Sequence, residues 1–597
     1  MTQSATTPAM RTAGIVFASA LGGLLLLTVA AGVWVGIRGF LAYGHLLDAQ
    51  RAAAAIQSQL DDPAVASTAI ADIAAETSAA RSLTSDPVWR VAEGAPWIGP
   101  QLAAVSTVAA SVDDVAGSAL TPLAEVASTF SLDSLRLQDG RIDLSSLSQI
   151  QDAATAGAAS IGRAAASVDS LDRAPLVAPV RTAVDELGAL LGDARNATDA
   201  LARASALMPA MLGADGPRDY LLLFQNNAEW RSLGGIPGAM AVVHTDGGAI
   251  SLVAQDSTSS FPRYAESVLP LDPEVQAIYG RRPALFMQNV TQVPDFAVSA
   301  SLAREMWTRE HGTQVDGVIA VDPVTLSYIL TATGPVTLPT GDVLSADNAV
   351  PLLLNDVYKR YARPGDQDAL FAAASAAVFD ALASGSADPG ALVTALTRAG
   401  DERRLLLWSA HDDDQALLAG TTLAGGLPVT DAEASTFGVY LNDGTGSKMD
   451  YYLAADTQVG WESCRLDAGG RATGVATLSV TLTSTAPADA AGLPPYITGG
   501  GSFGVEPGSA RTLAYVYLPE GFELVGSSVT DDRGFGGGFH AGRQVLSFTV
   551  DLAPGQSAQA AVTVRTPGPV APRIVAETTP TIGSSGVSSV AAVCIGA

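Results

Sequence analysis

The chain has 597 residues, with 33 Lys+Arg against 60 Asp+Glu, and its formal net charge is −27 at pH 7. Hydrophobic residues make up 48% of the chain and charged residues 16%, which excludes global disorder. So acidic a chain, with no basic stripe, has no general attraction to nucleic acid. Its two cysteines and five scattered histidines exclude a disulfide-dense scaffold and show no ligand spacing for a metal site.

An uncharged stretch lies near the N-terminus, between Arg11 and Arg38. As a helix, residues 12–37 reach about 39 Å, enough to cross a hydrocarbon layer of roughly 30 Å. The alternative is a cleaved signal peptide, but its apolar region is only about 7–15 residues long, so an uncleaved transmembrane anchor is favoured. The excess of positive charge on the short side predicts a cytoplasmic head over 1–11, with the bulk of the chain outside the cell membrane.

Three regions of different character follow the anchor. Apolar residues that recur every three to five positions over 102–126 and 180–212 predict helices, and 45–213 as a whole is typical of a helical stalk or bundle. Strands that alternate with helices predict an α/β domain over 217–425. Alternating apolar residues divided by Gly- and Pro-rich loops predict an antiparallel β-sandwich over 435–597. The fold class is therefore multidomain.

The two cysteines, Cys464 and Cys594, lie near the two ends of the last region. An oxidising exterior favours a disulfide between them, and two buried free thiols are the alternative. A bridge that closes so long a loop stabilises a protein by roughly 4–5 kcal/mol in the chain-entropy model.

The most distinctive string of the central domain is QNNAEWR followed by SLGGIPG, over residues 225–238. Polar side chains at the end of a strand, followed by glycines that allow close backbone approach, are able to form a ligand-binding pocket. The alternative is a strand-end loop whose asparagines bind their own backbone. The candidate binding residues are Asn226, Asn227, Glu229, Arg231, Gly234 and Gly235. The following runs, 239–244 and 249–255, predict a hairpin that turns at Asp246-Gly247-Gly248.

The densest cationic spot of the chain lies in DVYKRYARPGDQD, residues 356–368. Arginine forks suit phosphate oxygens, so this spot could form a pyrophosphate site that includes a divalent cation. Solvated side chains with local ion pairs are the alternative. The candidate residues for this site are Lys359, Arg360, Arg363, Asp366, Asp256, Arg281 and Arg282.

Three long strings together resemble the bacterial domain-of-unknown-function family DUF4012, in its actinobacterial form. They are RDYLLLFQNNAEWRSLGGIPGAMAVVHTDGGAIS, VDGVIAVDPVTLSYILTATGPV and SKMDYYL. The resemblance runs from about residue 85 to the end of the chain. It implies an envelope protein with one N-terminal anchor, and it implies no reaction, because the family has no established activity.

The central domain also resembles, more distantly, the LytR-CpsA-Psr family. These enzymes use arginines, an aspartate and magnesium to move glycopolymers from a polyprenyl-pyrophosphate carrier to the cell wall. The resemblance implies that Asp256 stands at the family's aspartate, that Arg360 and Arg363 lie near its later arginine pair, and that Asp366 belongs to its Gly-Asp step. The chain departs from the pattern at Gln255, where the family has arginine, and after Gly365-Asp366, where Asp368-Ala369-Leu370 replaces Arg-Gln. Two bidentate phosphate donors are therefore missing.

These observations predict a single-pass membrane protein with a binding or accessory role in cell-envelope or surface-polysaccharide assembly. Its ligand would be a glycopolymer or a polyprenyl-phosphate lipid. One alternative is a glycopolymer transferase with Mg²⁺ as cofactor and Asp256, Arg360, Arg363 and Asp366 as catalytic candidates. Another is an envelope spacer whose β-sandwich binds a second protein.

Overall fold

The chain divides into two compact units. The computed structural model describes residues 8–58, 63–129, 140–530, 533–584 and 587–594. The helical unit comprises residues 1–134 and 144–209, and the mixed unit comprises 135–143 and 210–597. Residues 1–7 of the expected cytoplasmic head lie outside the described residues.

In its described residues, the helical unit consists of one long apolar helix and six shorter ones. Its helices are α1 (Pro8–Ser58), α2 (Pro63–Thr84), α3 (Pro87–Ala92), α4 (Gly99–Val115), α5 (Thr121–Thr129), α6 (Ser145–Asp169) and α7 (Ala178–Met211), with a π-helical turn at Ala116–Leu120. Among the described residues, only α1 is long and apolar enough to cross a membrane, over Leu21–Ala53. The helices expected over 102–126 and 180–212 are present, the first of them interrupted by the π-helical turn.

Small apolar side chains hold the helices of this unit together. Ala104 of α4, Ile161 and Val168 of α6, and Val184 and Leu191 of α7 are buried in one cluster. The spacing of three or four residues places them on one face of each helix, which explains why the sequence pattern was sufficient to predict the helices.

The first part of the mixed unit is a five-stranded sheet with helices on both faces. Its elements in chain order are β1 (Arg218–Arg231), β2 (Gly234–Asp246), β3 (Ala249–Ser257), α8 (Pro273–Tyr279), α9 (Phe296–His311), β4 (Gly317–Val321), α10 (Pro323–Thr333), β5 (Val336–Thr337), β6 (Val343–Leu344), α11 (Ala349–Pro351), α12 (Val357–Arg360), α13 (Pro364–Ala383), α14 (Pro389–Asp401), β7 (Leu406–Ser409) and α15 (Asp412–Leu418). The strand order is β3-β2-β1-β4-β7, and β1 pairs with β4 in parallel. The predicted hairpin is confirmed, because β2 and β3 are antiparallel and turn at Gly247 and Gly248, both with positive φ.

Successive residues of β1 face opposite sides of this sheet, as the period of a strand requires. Leu221 and Leu223 are buried in a core that includes Met306 and Trp307 of α9. Leu222 and Phe224 face the other side, where α10 and α13 lie. Strand β1 is therefore covered on both faces, and its apolar run YLLLF reflects this double burial.

The second part of the mixed unit contains two larger sheets. Its elements are β8 (Ala434–Asp443), β9 (Leu453–Leu466), β10 (Ala472–Ser484), α16 (Pro495–Thr498), β11 (Ala510–Tyr517), β12 (Glu523–Val529), β13 (Gly536–His540), β14 (Arg543–Leu552), β15 (Ser557–Arg565), β16 (Arg573–Thr578) and β17 (Val587–Val593). The sheet orders are β12-β15-β10-β9 and β13-β14-β11-β8-β16-β17. One apolar core includes Leu478 and Val562 of the first sheet and Leu441 and Phe548 of the second.

One pairing in these sheets differs from the antiparallel arrangement that the sequence predicts. Strand β16 lies beside β8 in parallel, from Arg573 opposite Ala434 to Thr578 opposite Val439. It follows β15 of the other sheet, so the chain crosses between sheets and returns in the direction of β8. Alternation of apolar residues reports which face of a strand is buried and carries no information on strand direction.

The predicted disulfide is confirmed. Cys464 of β9 is bonded to Cys594, directly after β17, with the two Cα atoms 6.0 Å apart. The bridge therefore fastens the C-terminal strand of one sheet to an edge strand of the other.

Candidate functional site: a buried ion cluster and an apolar cavity

The polar string that follows YLLLF is part of β1. The strand continues to Arg231, with an irregular register against β2 between Asn226 and Trp230, and β2 begins at Gly234. The side chains of Asn226, Asn227, Glu229 and Arg231 are all buried. They therefore lie inside the mixed unit and not in an open loop at the end of the strand.

The two glycines that begin β2 are required by the neighbouring strand. A Cβ at Gly234 would lie 2.6 Å from Oε1 of Gln225, and a Cβ at Gly235 would lie 2.3 Å from the carbonyl of Asn226. Gly234 also has a φ of +129°, a region that side chains with a Cβ rarely adopt. These glycines therefore allow β1 to approach the start of β2 closely, and a ligand does not take that space.

Five ionisable side chains from distant parts of the chain form what we call the ion cluster: Glu229, Arg231, Asp443, Lys448 and Asp450. Lys448 Nζ donates to Oε2 of Glu229, and Arg231 Nη2 donates to its Oε1 at 3.2 Å. The Lys448 ammonium also lies 5.7 and 5.5 Å from the ring centroids of Tyr358 and Tyr496, close enough for cation–π attraction.

The charges of this cluster set one another's protonation. Burial alone would raise the pKa of Glu229, but Lys448 and Arg231 outweigh it and hold that pKa below its ordinary value. Burial and the Glu229 charge raise the pKa of Asp443 to about 6. Burial and the Asp443 charge raise the pKa of Asp450 well above its ordinary value. The cluster therefore combines two cations with an ionised Glu229 and two carboxyls that resist ionisation.

Hydrogen bonds from the ion cluster and its neighbours join β1 to the second part of the mixed unit. Asp450 accepts a hydrogen bond from the backbone N–H of Trp230 at 2.7 Å. Asn442 Oδ1 accepts from the N–H of Ser232 at 3.2 Å, and Asn442 Nδ2 donates to the Ser232 hydroxyl at 2.8 Å. Buried polar groups require such partners, so this arrangement fixes where the two parts meet.

A second buried ion pair lies at the end of β4. Asp322 begins α10 by accepting from the N–H of Thr325 at 2.7 Å, as the Asp-Pro helix start predicts. Its other oxygen accepts from Arg404 at 2.8 Å and from Asn227 at 3.1 Å. Asn226 is held by Tyr358 and accepts from the N–H of Ala228 at 3.0 Å. Asn226 thus satisfies nearby backbone, which was the alternative expected for it.

An apolar cavity of about 180 Å³ lies between the sheet and helices α10 and α13. Most of its walls are aliphatic or aromatic. The apolar lining includes Leu222, Phe224, Ala241, Leu326, Ile329, Leu353, Phe371, Ala374 and Val378. Polar groups contribute as well, from Gln225, Asn226, Asp322, Thr325 and Ser375. Among the described residues, the Thr325 hydroxyl is buried and has no hydrogen-bond partner.

Five of the residues expected to bind pyrophosphate are paired with nearby side chains. Asp256 contacts Nε2 of His311 at 3.0 Å. Arg360 pairs with Asp342 at 2.8 Å, and Arg363 pairs with Asp366 at 2.9 Å. Lys359 lies 4.0 Å from Asp356.

Two hydrogen bonds nevertheless bring the end of β3 close to the start of α13. Gln255 Nε2 donates to the carbonyl of Ala372 at 3.1 Å, and the Ser259 hydroxyl donates to Asp368 at 3.3 Å. Asp256 therefore lies near the helix that begins after Arg363.

Arg281 and Arg282 are exposed and follow α8, which packs against Tyr515 of β11. Among the described residues, no group of three or more His, Cys, Asp or Glu side chains is placed to hold a metal ion.

Sequence reasoning missed Lys448, Asp450 and Tyr358 as partners of the polar string. One signal was available, since Lys448 is one of only two lysines in the chain. Its string DGTGSK is typical of a turn, and a turn 219 residues away gives no indication that it meets Glu229. Nothing in the sequence marked Arg404 or Thr325 as part of the site.

Comparison with known proteins gives a similarity to one family. The search of the curated proteins finds no match. A sequence profile described as "Protein of unknown function (DUF4012)" matches residues 215–358, from the start of β1 into α12. The matched segment contains the polar string and Tyr358, whereas Lys448 lies beyond it. Over residues 215–358, this chain is similar to the DUF4012 family.

Proposed function

We propose that this protein is a membrane-anchored binding protein of the cell envelope. Helix α1 holds it in the membrane, and the apolar cavity of the mixed unit receives the hydrocarbon chain of a lipid-linked precursor. Its role is accessory, in cell-envelope or surface-polysaccharide assembly. The observation that carries the proposal is an apolar cavity that is partly bounded by polar groups.

The chemistry of the cavity favours a chain with an apolar body and a polar head. Its aliphatic and aromatic walls exclude charged ligands from most of its volume, because desolvating a charge without a partner is costly. Polar side chains of the lining, among them Gln225, Asn226 and Ser375, are able to form a hydrogen bond with a polar head. At about 180 Å³, the cavity is slightly larger than an engineered cavity of about 150 Å³ that binds benzene, so it accepts a short hydrocarbon segment as it stands.

The proposal is tested with the full chain in detergent and radiolabelled polyprenyl phosphate. Ala374, a buried cavity residue on α13, is replaced in the variant Ala374→Leu, which fills part of the cavity. The control is Ala369→Leu, an exposed position on the same helix. We expect saturable binding by wild type and the control, and at least a tenfold weaker binding by Ala374→Leu. Equal binding by all three chains, or none by wild type, would contradict the proposal.

A second candidate is a glycopolymer transferase that acts on a polyprenyl-pyrophosphate-linked substrate. It is favoured by the hydrogen bonds from Gln255 and Ser259 to α13, which bring Asp256 near the arginines that precede this helix. The test compares polymer release from the envelope in strains that carry Asp256→Ala, the exposed control Asp347→Ala, or a full deletion. A transferase predicts that Asp256→Ala matches the deletion and that the control matches wild type. Wild-type polymer content in Asp256→Ala would leave only the binding role.

A further inference from the structure

One end of the helical unit exposes a group of large apolar side chains. They lie on α3, on the loop that joins it to α4, and on the loop that joins α6 to α7. Trp97 is 92% exposed and Val91 80%, and Ile98 and Val177 are more than half exposed. Trp97 also has a φ of +71°, a strained conformation for a bulky residue. The loop between α6 and α7 is joined to the first turn of α4, since Gln101 donates to the carbonyl of Pro175 and accepts from the N–H of Val177.

This end of the unit lies beside the apolar part of α1. Val35 of α1 is buried in a cluster with Trp89 and Leu102. Arg38, the first charged residue after the uncharged stretch, fixes the position of this contact along α1. Its guanidinium donates to the carbonyl of Leu83 at 2.8 Å and contacts Asp86 at 2.9 Å.

A groove continues from this contact along α1 towards its N-terminus. It has a volume of about 1070 Å³ and is lined on one side by α1 from Leu27 to Leu46, and on the other by α3, α4 and the first turns of α7. A Cβ added at Gly32 or Gly36 would meet nothing within 4 Å, so the small side chains of α1 leave this space open.

The position of Arg38 sets the depth of the groove in a bilayer. Leu27 precedes Arg38 by eleven residues, which is about 16 Å along a helix at 1.5 Å per residue. A hydrocarbon layer is roughly 30 Å thick, so the groove reaches about to its middle when Arg38 lies at its surface. The apolar loop residues that face this part of α1 then lie within the hydrocarbon or at its boundary, where tryptophan is enriched.

We propose that this end of the helical unit is immersed in the outer leaflet of the membrane, with a lipid acyl chain filling the groove beside α1. The immersed surface comprises Val88, Val91, Trp97, Ile98 and Val177. The inference rests on the proposed anchoring through α1 and adds a second contact with the bilayer. A lipid is favoured as the occupant because the groove is continuous with the membrane-spanning part of α1.

The charged residues of this end are compatible with the boundary of the bilayer. Glu93 accepts a hydrogen bond from the Ser106 hydroxyl at 2.5 Å, so its carboxylate has a partner inside the unit. Arg90 is exposed on α3, and a long arginine side chain is able to reach the phosphate layer from a shallow position.

The inference is tested by measuring the depth of a fluorescent label in phosphatidylcholine nanodiscs that contain one full-length chain each. The native cysteines are bonded to each other, so a single introduced cysteine reacts alone with an environment-sensitive maleimide. The test position is Trp97→Cys. The matched control is Leu190→Cys, an exposed apolar position on α7 about 20 Å along the helix from Val177. A third position, Leu25→Cys in α1, reports anchoring itself.

We expect doxyl-labelled phosphatidylcholine to quench the labels at positions 25 and 97 at least twofold, and iodide to quench only the label at position 190. Quenching at position 25, with position 97 open to iodide, overturns the inference and leaves anchoring intact. Iodide quenching at all three positions refutes anchoring as well. If position 97 is protected from iodide only in discs that hold two chains, the inference is also overturned. A second copy of the chain, and not lipid, would then cover this surface. If Trp97→Cys does not fold, Ile98→Cys replaces it.

Discussion

The pair formed by Lys448 and Glu229 gives the sharpest test of the ion cluster. Replacing Lys448 with methionine keeps most of the side-chain volume and leaves the Glu229 carboxylate with Arg231 as its remaining cation. Both side chains of the Lys448–Glu229 pair are about 10% exposed or less. Removing one partner of a buried pair costs about 3–5 kcal/mol, because the remaining charge, here Glu229, keeps only part of its compensation. We expect that loss for Lys448→Met.

The assay is calorimetric unfolding of the full chain, in which the mixed unit gives its own transition. At about 2 cal/mol/K per residue, a unit of nearly 400 residues loses about 4–6 °C in Tm for such a change. The control, Arg363→Met, removes the exposed pair with Asp366 and should cost less than about 1 kcal/mol. The double variant Lys448→Met with Glu229→Gln should recover at least about 2 kcal/mol. If the losses in the free energy of unfolding from the two single substitutions are simply additive, the two side chains do not stabilise each other and the prediction is refuted.

Three further predictions concern stability. Burial and the Glu229 charge raise the pKa of Asp443 to about 6, above its unfolded value, so its stabilising contribution is complete only below about pH 4 and is lost as pH rises through 6. Chemical denaturation should therefore show Asp443→Asn gaining about 2 kcal/mol on wild type between pH 4 and pH 8. Replacing both Cys464 and Cys594 with serine should lower the free energy of unfolding by about 4–5 kcal/mol, and an unchanged denaturation midpoint would show that the closed loop contributes nothing. Thr325→Val should raise the free energy of unfolding by about 1 kcal/mol, because it removes a buried hydroxyl that has no partner, whereas Thr291→Val should lower it by about 1 kcal/mol, because that hydroxyl donates to Gly235 at 2.9 Å.

The location of the ion cluster explains why the polar string looked like a binding site. Glu229 and Arg231 are spaced so that both side chains leave β1 on the same side, and such a pair next to glycines is a reasonable pocket in isolation. The second part of the mixed unit supplies Lys448 and Asp450, which cover these side chains. The string therefore joins two parts of one unit, and the open volume lies elsewhere, between the sheet and α13.

Local patterns in the sequence were sufficient for several features. The uncharged run that ends at Arg38 predicts the apolar part of α1, because a helix of fixed rise must reach across a bilayer. Spacing of apolar residues predicts α7 and the hairpin of β2 and β3, because each depends only on residues a few positions apart. The pairing of Cys464 with Cys594 follows from there being two cysteines in the chain.

Only the tertiary structure decided which distant residues meet. Lys448 reaches Glu229 across 219 residues, Arg404 reaches Asp322 across 82, and β16 lies parallel to β8. No periodicity spans such separations, since the contacts depend on how whole strands and helices stack. The same applies to the cavity and the groove, which are spaces between elements, and their walls look in the sequence like ordinary core residues.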